Sequence, residues 1–458
     1  MNYGLINCKI VESCFKAGGT IIINEQVAKK VLEILDNDNL LNSQEKLEAK
    51  KDIIRGLDTY NLKEINDFKY YCNKCNLKGR TNLNCEHCVR NILIENFNKW
   101  TSGIMVLDKT IQNSQIDYPL PGHFPEWIPY KDLDDIKEKT RGGFATIFNA
   151  KWKKGKIITF SSETDSFLRT GPIPVILKRL PDSYMYDEKS FNELQIHIRA
   201  SFWGNHAVTL YGVTRDESTN LKNLMLVLRP MVCNLWEFCS ERLTWKDVYQ
   251  AFWFIANGLT QLHSKGLLHR DLHPGNVLIR ENQYWLSDFG LSGPPSSSNN
   301  QIYGNTPFMA PEVLKEGNYT TASDIYAFGM LMWMIASSSP PFKDYDDEVQ
   351  LHLAIIEGER PRKILDIPIE YNLLMKRCWN EDPKERPNAQ ELLTFFTEVI
   401  TNENEEKYNF LKNYIKEKED NKYPIQVQSI WESRTHSIYY SNDIDTMSSI
   451  SSFEDCAI

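Results

Sequence analysis

The chain is 458 residues long, with 41% hydrophobic and 25% charged residues, the balance of a globular protein with room for two or three domains. Its formal net charge of −9 offers no broad basic surface, so nucleic acid is not an expected partner. No basic stretch leads into an apolar core at the amino terminus, and the most apolar run, Tyr326 to Ala336, is far shorter than the roughly 18 to 20 residues of a membrane span; a soluble cytoplasmic protein is expected.

In chain order, an expected helical region over 1–65 holds two amphipathic stretches, Glu25 to Leu35 and Gln44 to Leu57. Cys72-Asn73-Lys74-Cys75 and Cys85-Glu86-His87-Cys88 follow, with nine residues between the pairs. Each knuckle presents two thiolates on one tight turn, a pattern suited to a tetrahedral structural Zn²⁺ site in a zinc-ribbon-like module over 66–95. Disulfide or redox pairing is the alternative, and His87 could replace one cysteine. The mildly basic Leu77 to Thr81 loop could meet a protein partner. Cys8, Cys14, Cys233, Cys239, Cys378 and Cys456 have no matching spacing and are expected as free thiols. Pro119, Pro121, Gly122, Pro125 and Pro129 mark 96–129 as an extended linker.

A larger domain over 130–400 comes next, with Trp127-Ile128-Pro129-Tyr130 packing onto its start. Gly142 and Gly143 sit in Thr140 to Ile147, and Val175-Ile176-Leu177-Lys178 reads as a strand. The polar stretch Lys153 to Pro174 between them reads as an exposed loop. Phe191-Asn192-Glu193-Leu194 is helix-like, and Leu228-Arg229-Pro230-Met231 ends an apolar run. His269-Arg270-Asp271-Leu272-His273-Pro274-Gly275-Asn276, Asp288-Phe289-Gly290, Ala310-Pro311-Glu312, Asp324 to Gly329 and Arg386 complete the order. The highly charged Glu403 to Lys422 and the serine-rich, acidic Ser429 to Ile458 make 401–458 an expected disordered segment.

The string around Asp271 carries phosphoryl-transfer chemistry. A phosphoryl group in transfer bears charge on several oxygens, so catalysis is mostly positioning and electrostatic clamping. Asp288 and Asn276 offer oxygens for Mg²⁺, and Asp271 can accept the proton of an attacking hydroxyl. Asp271 and Asn276 are five residues apart (276 − 271), so one loop can present both.

These strings resemble the HRDxxxxN and DFG signatures of the protein kinase superfamily. The resemblance covers about 270 residues and implies an α+β, bilobal fold, with a β-rich N-lobe, a helical C-lobe, ATP and Mg²⁺. It implies that Gly142, Gly143, Phe144 and Ala145 cover the phosphates and that Lys178 pairs with Glu193. Leu228 becomes the gatekeeper, Arg229 and Met231 offer backbone groups to adenine, and Ile147, Ile176 and Leu278 sandwich the ring. Asp271 becomes the base, Asn276 and Asp288 the Mg²⁺ ligands, and Glu312 with Arg386 a structural ion pair. Cys378-Trp379 ahead of Asp382-Pro383 and Arg386-Pro387 resembles the tyrosine-kinase-like group, and the whole is similar to lineage-expanded fungal kinases with an N-terminal zinc module.

Four departures matter. Ile176 stands where alanine is usual, and Thr140 where the first loop glycine falls. His273 replaces a lysine that touches the γ-phosphate in serine/threonine kinases; a neutral imidazole predicts slower transfer with pH dependence near 6.5. Asn305 replaces a threonine that bonds to the catalytic aspartate. Arg270 ahead of Asp271 implies ordering by an activation-segment phosphate, with Ser296, Ser297, Ser298, Tyr303 and Thr306 as acceptors. The expected function is transfer of phosphate from ATP to serine or threonine of protein substrates in signalling. A pseudokinase scaffold, a tyrosine or dual-specificity kinase, and a zinc-ribbon nucleic-acid protein with a kinase appended are the alternatives.

Overall fold

A computed structural model describes residues 25–38, 41–64, 68–141, 145–161, 163–180, 188–203, 207–238, 245–280, 283–295, 302–365 and 367–401. Two helices, α1 (Glu25–Asp36) and α2 (Ser43–Glu64), open it. Val27, Ala28, Val31 and Leu35 recur at helical spacing on α1 and bury against Leu41, Ala49 and Ile53. Helix α2 runs beyond the expected Leu57, and the extension has a purpose. Its Asp58 accepts the amides of Asn82 and Leu83 at 2.7 and 2.9 Å, tying the helix to the loop between the cysteine knuckles. There β1 (Tyr70–Tyr71) and β2 (Lys78–Gly79) pair antiparallel, and α3 (Glu86–Asn96) leaves the second knuckle.

The expected extended linker over 96–129 is corrected. Its middle is helix α4 (Met105–Asp117), with Leu107, Ile111, Ser114 and Gln115 buried on one face. The prolines that signalled extended chain all lie beyond the last turn of that helix.

The N-lobe strands are β3 (Glu126–Trp127), β4 (Leu133–Arg141), β5 (Thr146–Trp152), β6 (Ile157–Ser161), β7 (Ser166–Arg169) and β8 (Ile173–Arg179), then helix α5 (Glu188–Trp203), β9 (Leu210–Arg215) and β10 (Leu224–Leu228). Six of them form one sheet in the order β3-β9-β10-β8-β5-β4. Strand β3 runs parallel to β9, with Glu126 opposite Gly212. A Cβ at Gly212 would meet the Glu126 carbonyl oxygen at 2.1 Å, so a glycine is what lets β3 approach. The sheet therefore starts before residue 130, and Ile128 is buried beside it.

Lys153 to Pro174 is not the expected exposed loop. It folds as the antiparallel hairpin β6–β7. Its Ile157 and Phe160 bury with Cys88, Val89, Leu93 and Phe124, and Asn84 Oδ1 accepts from Thr159 Oγ1 at 2.9 Å and the Phe160 amide at 2.8 Å. The apolar residues of the hairpin serve the cysteine module, about 75 positions earlier in the chain, so no local periodicity exposed them.

The C-lobe holds β11 (Cys233–Asn234), α6 (Leu235–Phe238), α7 (Trp245–Ser264), β12 (Val277–Arg280), β13 (Gln283–Leu286), α8 (Pro311–Glu316), α9 (Thr321–Ser337), α10 (Glu348–Ile356), α11 (Ile369–Cys378) and α12 (Ala389–Thr401). Helix α9 is apolar all round and is buried from Ser323 to Ile335, as such a helix must be. Phe252, Phe328 and Phe396 join α7, α9 and α12, with ring centroids 5.1 to 5.9 Å apart. The result is the expected α+β fold of β-sheet N-lobe and helical C-lobe. No described helix is long and apolar enough to cross a membrane.

Candidate active site

The site starts from strand alternation. On β8, Val175 and Leu177 enter the cluster of Phe148, Trp152 and Val227, which turns Ile176 and Lys178 to the opposite face. The Lys178 ammonium donates to Glu193 Oε1 of α5 at 2.7 Å and to Asp288 Oδ1 at 2.8 Å. Burial opposes the lysine's charge, but Asp288 and Glu193 together hold its pKa above the ordinary value. Asp288 is drawn down against its own burial by Lys178 and the Gly290 amide, whereas burial and the facing Asp288 push Glu193 up despite the lysine. One ammonium serves two carboxylates. With Asp271 nearby, the cleft carries surplus negative charge that suits a cation.

Local backbone aims these groups. Asp288 adopts φ +60° and Arg270 φ +66°, conformations that L-residues hold only under tertiary constraint. Phe289 is fully buried, its ring 5.3 Å from His197 of α5 and 5.6 Å from His269. His197, one turn after Glu193, donates through Nε2 to the Val208 carbonyl at 2.7 Å, and burial lowers its pKa to about 4. It is neutral and fixed. A Cβ at Gly290 would meet Glu193 Oε2 at 3.2 Å and Asp288 Oδ1 at 3.3 Å, so glycine preserves the approach of the two carboxylates.

The loop bearing Asp271 is seated by Asp324 of α9. Its carboxylate accepts the amides of His269 and Arg270 and the His263 Nε2, each at 2.8 Å. Burial alone would raise Asp324, but the His263 contact and these partners hold it below its ordinary value. Asn276 Nδ2 donates to the Asp271 carbonyl at 2.9 Å and to Asp271 Oδ2 at 3.2 Å, which leaves its Oδ1 for a cation. His273 Nε2 lies 3.7 Å from Asp271 Oδ2, and its Nδ1 accepts the Gly275 amide at 3.2 Å. Beside Asp271 opens a pocket lined by Arg270, Asn305, Phe308, Met309 and Tyr319.

At the hinge, Leu228 is buried, and Ile176, Met231 and Leu278 are half-buried against its cluster. Ile147 pairs with Lys178 across β5 and β8. The Arg229 amide is taken by the Thr209 carbonyl at 3.0 Å and the Pro230 carbonyl by Arg280 Nη1 at 2.8 Å. The Arg229 amide is thus already engaged. Ala145 is half-buried at the start of β5, whereas Gly142, Gly143 and Phe144 lie outside the described residues.

Residues 135–396 match the family of protein tyrosine and serine/threonine kinases. The chain belongs to the protein kinase family. A probable LIM domain-containing serine/threonine-protein kinase of Dictyostelium discoideum is 36% identical to this kinase over 141 residues, 30% of this chain and 22% of its own. A dual serine/threonine and tyrosine protein kinase of Pimephales promelas is 30% identical over 212 residues, 44% and 23%. Mitogen-activated protein kinase kinase kinase 7 of Homo sapiens is 25% identical over 292 residues, 60% and 43%. The chain thus spans less than half the length of these relatives.

One expectation about the activation segment of this kinase changes. Thr306 is not an open acceptor: it is buried, and its hydroxyl meets Glu348 Oε1 at 2.6 Å and His352 Nε2 at 3.0 Å. Arg270 donates to the Leu291 and Pro294 carbonyls and lies 5.3 Å from the Tyr319 ring centroid. Both depend on partners that sequence proximity does not reveal. Ser296, Ser297 and Ser298 lie outside the described residues. Glu312 and Arg386 do form a bidentate pair at 2.6 and 2.9 Å, with the Arg386 side chain fully enclosed.

The cysteine module converges as well. The Sγ atoms of Cys72, Cys75, Cys85 and Cys88 lie within 4.8 Å of one another, with Cys72 to Cys88 at 3.7 Å and Cys75 to Cys85 at 3.6 Å. A tetrahedron with Zn–S bonds of about 2.3 Å has edges of about 3.8 Å, so the four thiols fit a zinc ion. They are free, far from the ~2.05 Å of a disulfide. His87 faces the Lys78 carbonyl at 3.1 Å and is outside the cluster. Desolvation works against ionisation, yet amide hydrogen bonds from Cys75 and Lys74 bring the Cys72 thiol down to about 7.

Three residues were missed from sequence alone. His197 carried one signal, its spacing of four from Glu193. Asn84 and Tyr319 carried none.

Proposed function

We propose that the chain is an active ATP-dependent kinase that transfers the γ-phosphate of ATP to serine or threonine hydroxyls of other proteins. The observation that carries this is Lys178 bonded at once to Glu193 and Asp288 above a buried Phe289, the charge arrangement a phosphate clamp requires.

Each residue has a role in this proposal. Lys178, positioned by Glu193, holds the nucleotide phosphates. Ile147, Ile176 and Leu278 take the adenine, with the Arg229 carbonyl and the Met231 backbone at its edge. Asp288 and the free Oδ1 of Asn276 would hold Mg²⁺, which would supply positive charge to offset that of the phosphate oxygens. Asp271 orients the substrate hydroxyl and accepts its proton as the oxygen attacks phosphorus. His273 contacts the transferred phosphate. Burial opposes its charge, but Asp271 raises its pKa above the ordinary histidine value; with Nδ1 accepting the Gly275 amide, the ring keeps an Nε2–H donor for the phosphate.

We assign Cys72, Cys75, Cys85 and Cys88 to one structural zinc ion, and the Leu77 to Thr81 loop, with Leu77 exposed, to a protein partner. The working units proposed are helices α1 and α2, the cysteine module, the α4 segment with the kinase sheet, and the C-lobe to about residue 400. Reduced cysteines in such a site suit a cytoplasmic signalling protein.

Transfer of radiolabelled phosphate by the purified chain and by Asp271→Asn, with phosphoamino-acid analysis, tests the proposal. Label dependent on Asp271 and confined to phosphoserine and phosphothreonine is expected; equal label from both proteins would refute it. Dual specificity is the second possibility, favoured by His273 and Asn305 at positions that serine/threonine kinases fill otherwise. Phosphotyrosine in the product would establish it.

A further inference from the structure

Helix α5 has two working faces. Glu193 and His197, four residues apart, face the cleft through Lys178 and Phe289. Phe191, Leu194 and Ile198 lie on its other faces, in one buried cluster with the sheet residues Leu210, Leu224 and Leu226 and with Leu107 and Ile111 of α4, both fully buried. Residues 100–111 are thus packed into the same core as the helix that carries Glu193.

That cover is fastened to the cysteine module. Arg90 of α3, two residues after Cys88, donates from Nε to the Ile116 carbonyl near the end of α4 at 3.0 Å. Gln115 binds the Pro125 carbonyl at 2.8 Å just before β3, and Arg215 of β9 binds the Ser102 carbonyl at 3.3 Å. On the module's other side, Cys88, Val89 and Leu93 bury with Phe124 and with Ile157 and Phe160 of the hairpin. The α3 segment that begins at the second knuckle is therefore joined to both the β6–β7 hairpin and α4. The two-residue strand pair β1–β2, with three-quarters of its residues unburied, is too small to fix the two knuckles against each other by itself, so the first turn of α3, which carries Cys88, depends on the four thiols being bridged.

We infer that the four-cysteine module and α4 form an intramolecular clamp on α5, in which a thiophilic divalent cation bound by Cys72, Cys75, Cys85 and Cys88 keeps Glu193 at Lys178. With the thiols bridged, α3 holds α4, and Leu107 and Ile111 hold Phe191, Leu194 and Ile198. With the thiols unbridged, that support is lost and α5 is free to carry Glu193 out of the cleft. Leu107 and Ile111 are positioning residues: they touch neither nucleotide nor substrate. The inference rests on the kinase assignment for its activity readout alone.

The test uses the full chain loaded with Zn²⁺ or with Co²⁺, whose visible spectrum reports tetrahedral thiolate ligation. Amide hydrogen exchange is followed over 188–203 of α5 and 321–337 of α9, alongside phosphate transfer with ATP varied. Removing the metal should speed exchange in α5 by about tenfold or more while α9 stays protected, and should raise the KM for ATP with loss of kcat. Ile111→Ala should do the same with the cobalt spectrum unchanged, because it breaks the clamp beyond the metal, and Ile111→Val should restore most of both. Unchanged α5 exchange after metal removal would overturn the clamp. So would exchange that rises equally in α5 and α9, since the module would then support the whole fold instead of positioning one helix. If the wild-type chain shows no Asp271-dependent transfer, the kinase assignment fails, and the exchange data still decide the clamp.

Discussion

The cleft and the cysteine module are both small clusters of like-charged ligands, yet they are held in opposite ways. In the cleft, Lys178 already offsets part of the charge of Glu193 and Asp288, and Asp324 and α9 seat the Asp271 loop from beneath. The geometry stands on a large buried core. In the module, four thiols face one another with little core behind them. On the proposed assignments, a cation would serve the cleft as a reagent and the module as a scaffold: the first site is built without its metal, and the second would be completed by it.

The largest effect should come from removing that scaffold. Stripping the metal with a chelator should cost the module on the order of 10 kcal/mol of apparent binding free energy, by analogy with small zinc domains. Exchange over 70–96 should then collapse while the C-lobe stays protected. If the module kept its protection without metal, the two regions would not differ as argued.

Next is Asp271→Asn. Loss of a positioned base is worth about 10²- to 10⁴-fold in rate, with nucleotide binding and melting temperature little changed because the loop is seated by Asp324. A variant that instead lost stability would show that the cleft, like the module, is completed by its own chemistry.

Asn84→Ala should cost about 1–3 kcal/mol in chemical denaturation of the module and hairpin, since it leaves the buried Phe160 amide without its acceptor. Transfer by the metal-loaded variant at low denaturant should be affected far less than stability.

The smallest effect concerns His273. Its folded pKa lies above the ordinary 6.5 because of Asp271, so the imidazolium, and any stability its contact brings, is fully present below 6.5 and is lost as pH rises through the raised value. The rate of wild type relative to His273→Lys should therefore fall severalfold across that range. A ratio independent of pH would remove His273 from the phosphate contact.

Much of the cleft was legible because its chemistry is written in contiguous strings. Asp271 and Asn276 share one loop, Asp288 and Gly290 share another, and Lys178 sits in a strand whose alternation is plain. The four cysteines were legible for the same reason, two knuckles on two turns. The linker and the loop were misjudged because their apolar residues are sparse and their partners distant: Leu107 and Ile111 answer to Phe191 and Leu194, and Ile157 and Phe160 answer to Val89 and Leu93. Thr306 was misjudged likewise, since Glu348 and His352 lie 42 and 46 residues downstream.

By itself, then, the sequence determined the family, the two lobes and the candidates for the reactive groups, because those depend on residue type at short spacing. Only the tertiary structure decided that Lys178 serves two carboxylates, that His197 packs against Phe289, and that the segment ahead of the kinase sheet shares a core with the Glu193 helix. Those outcomes come from burial and close packing between distant stretches of chain, which short-range pattern does not encode.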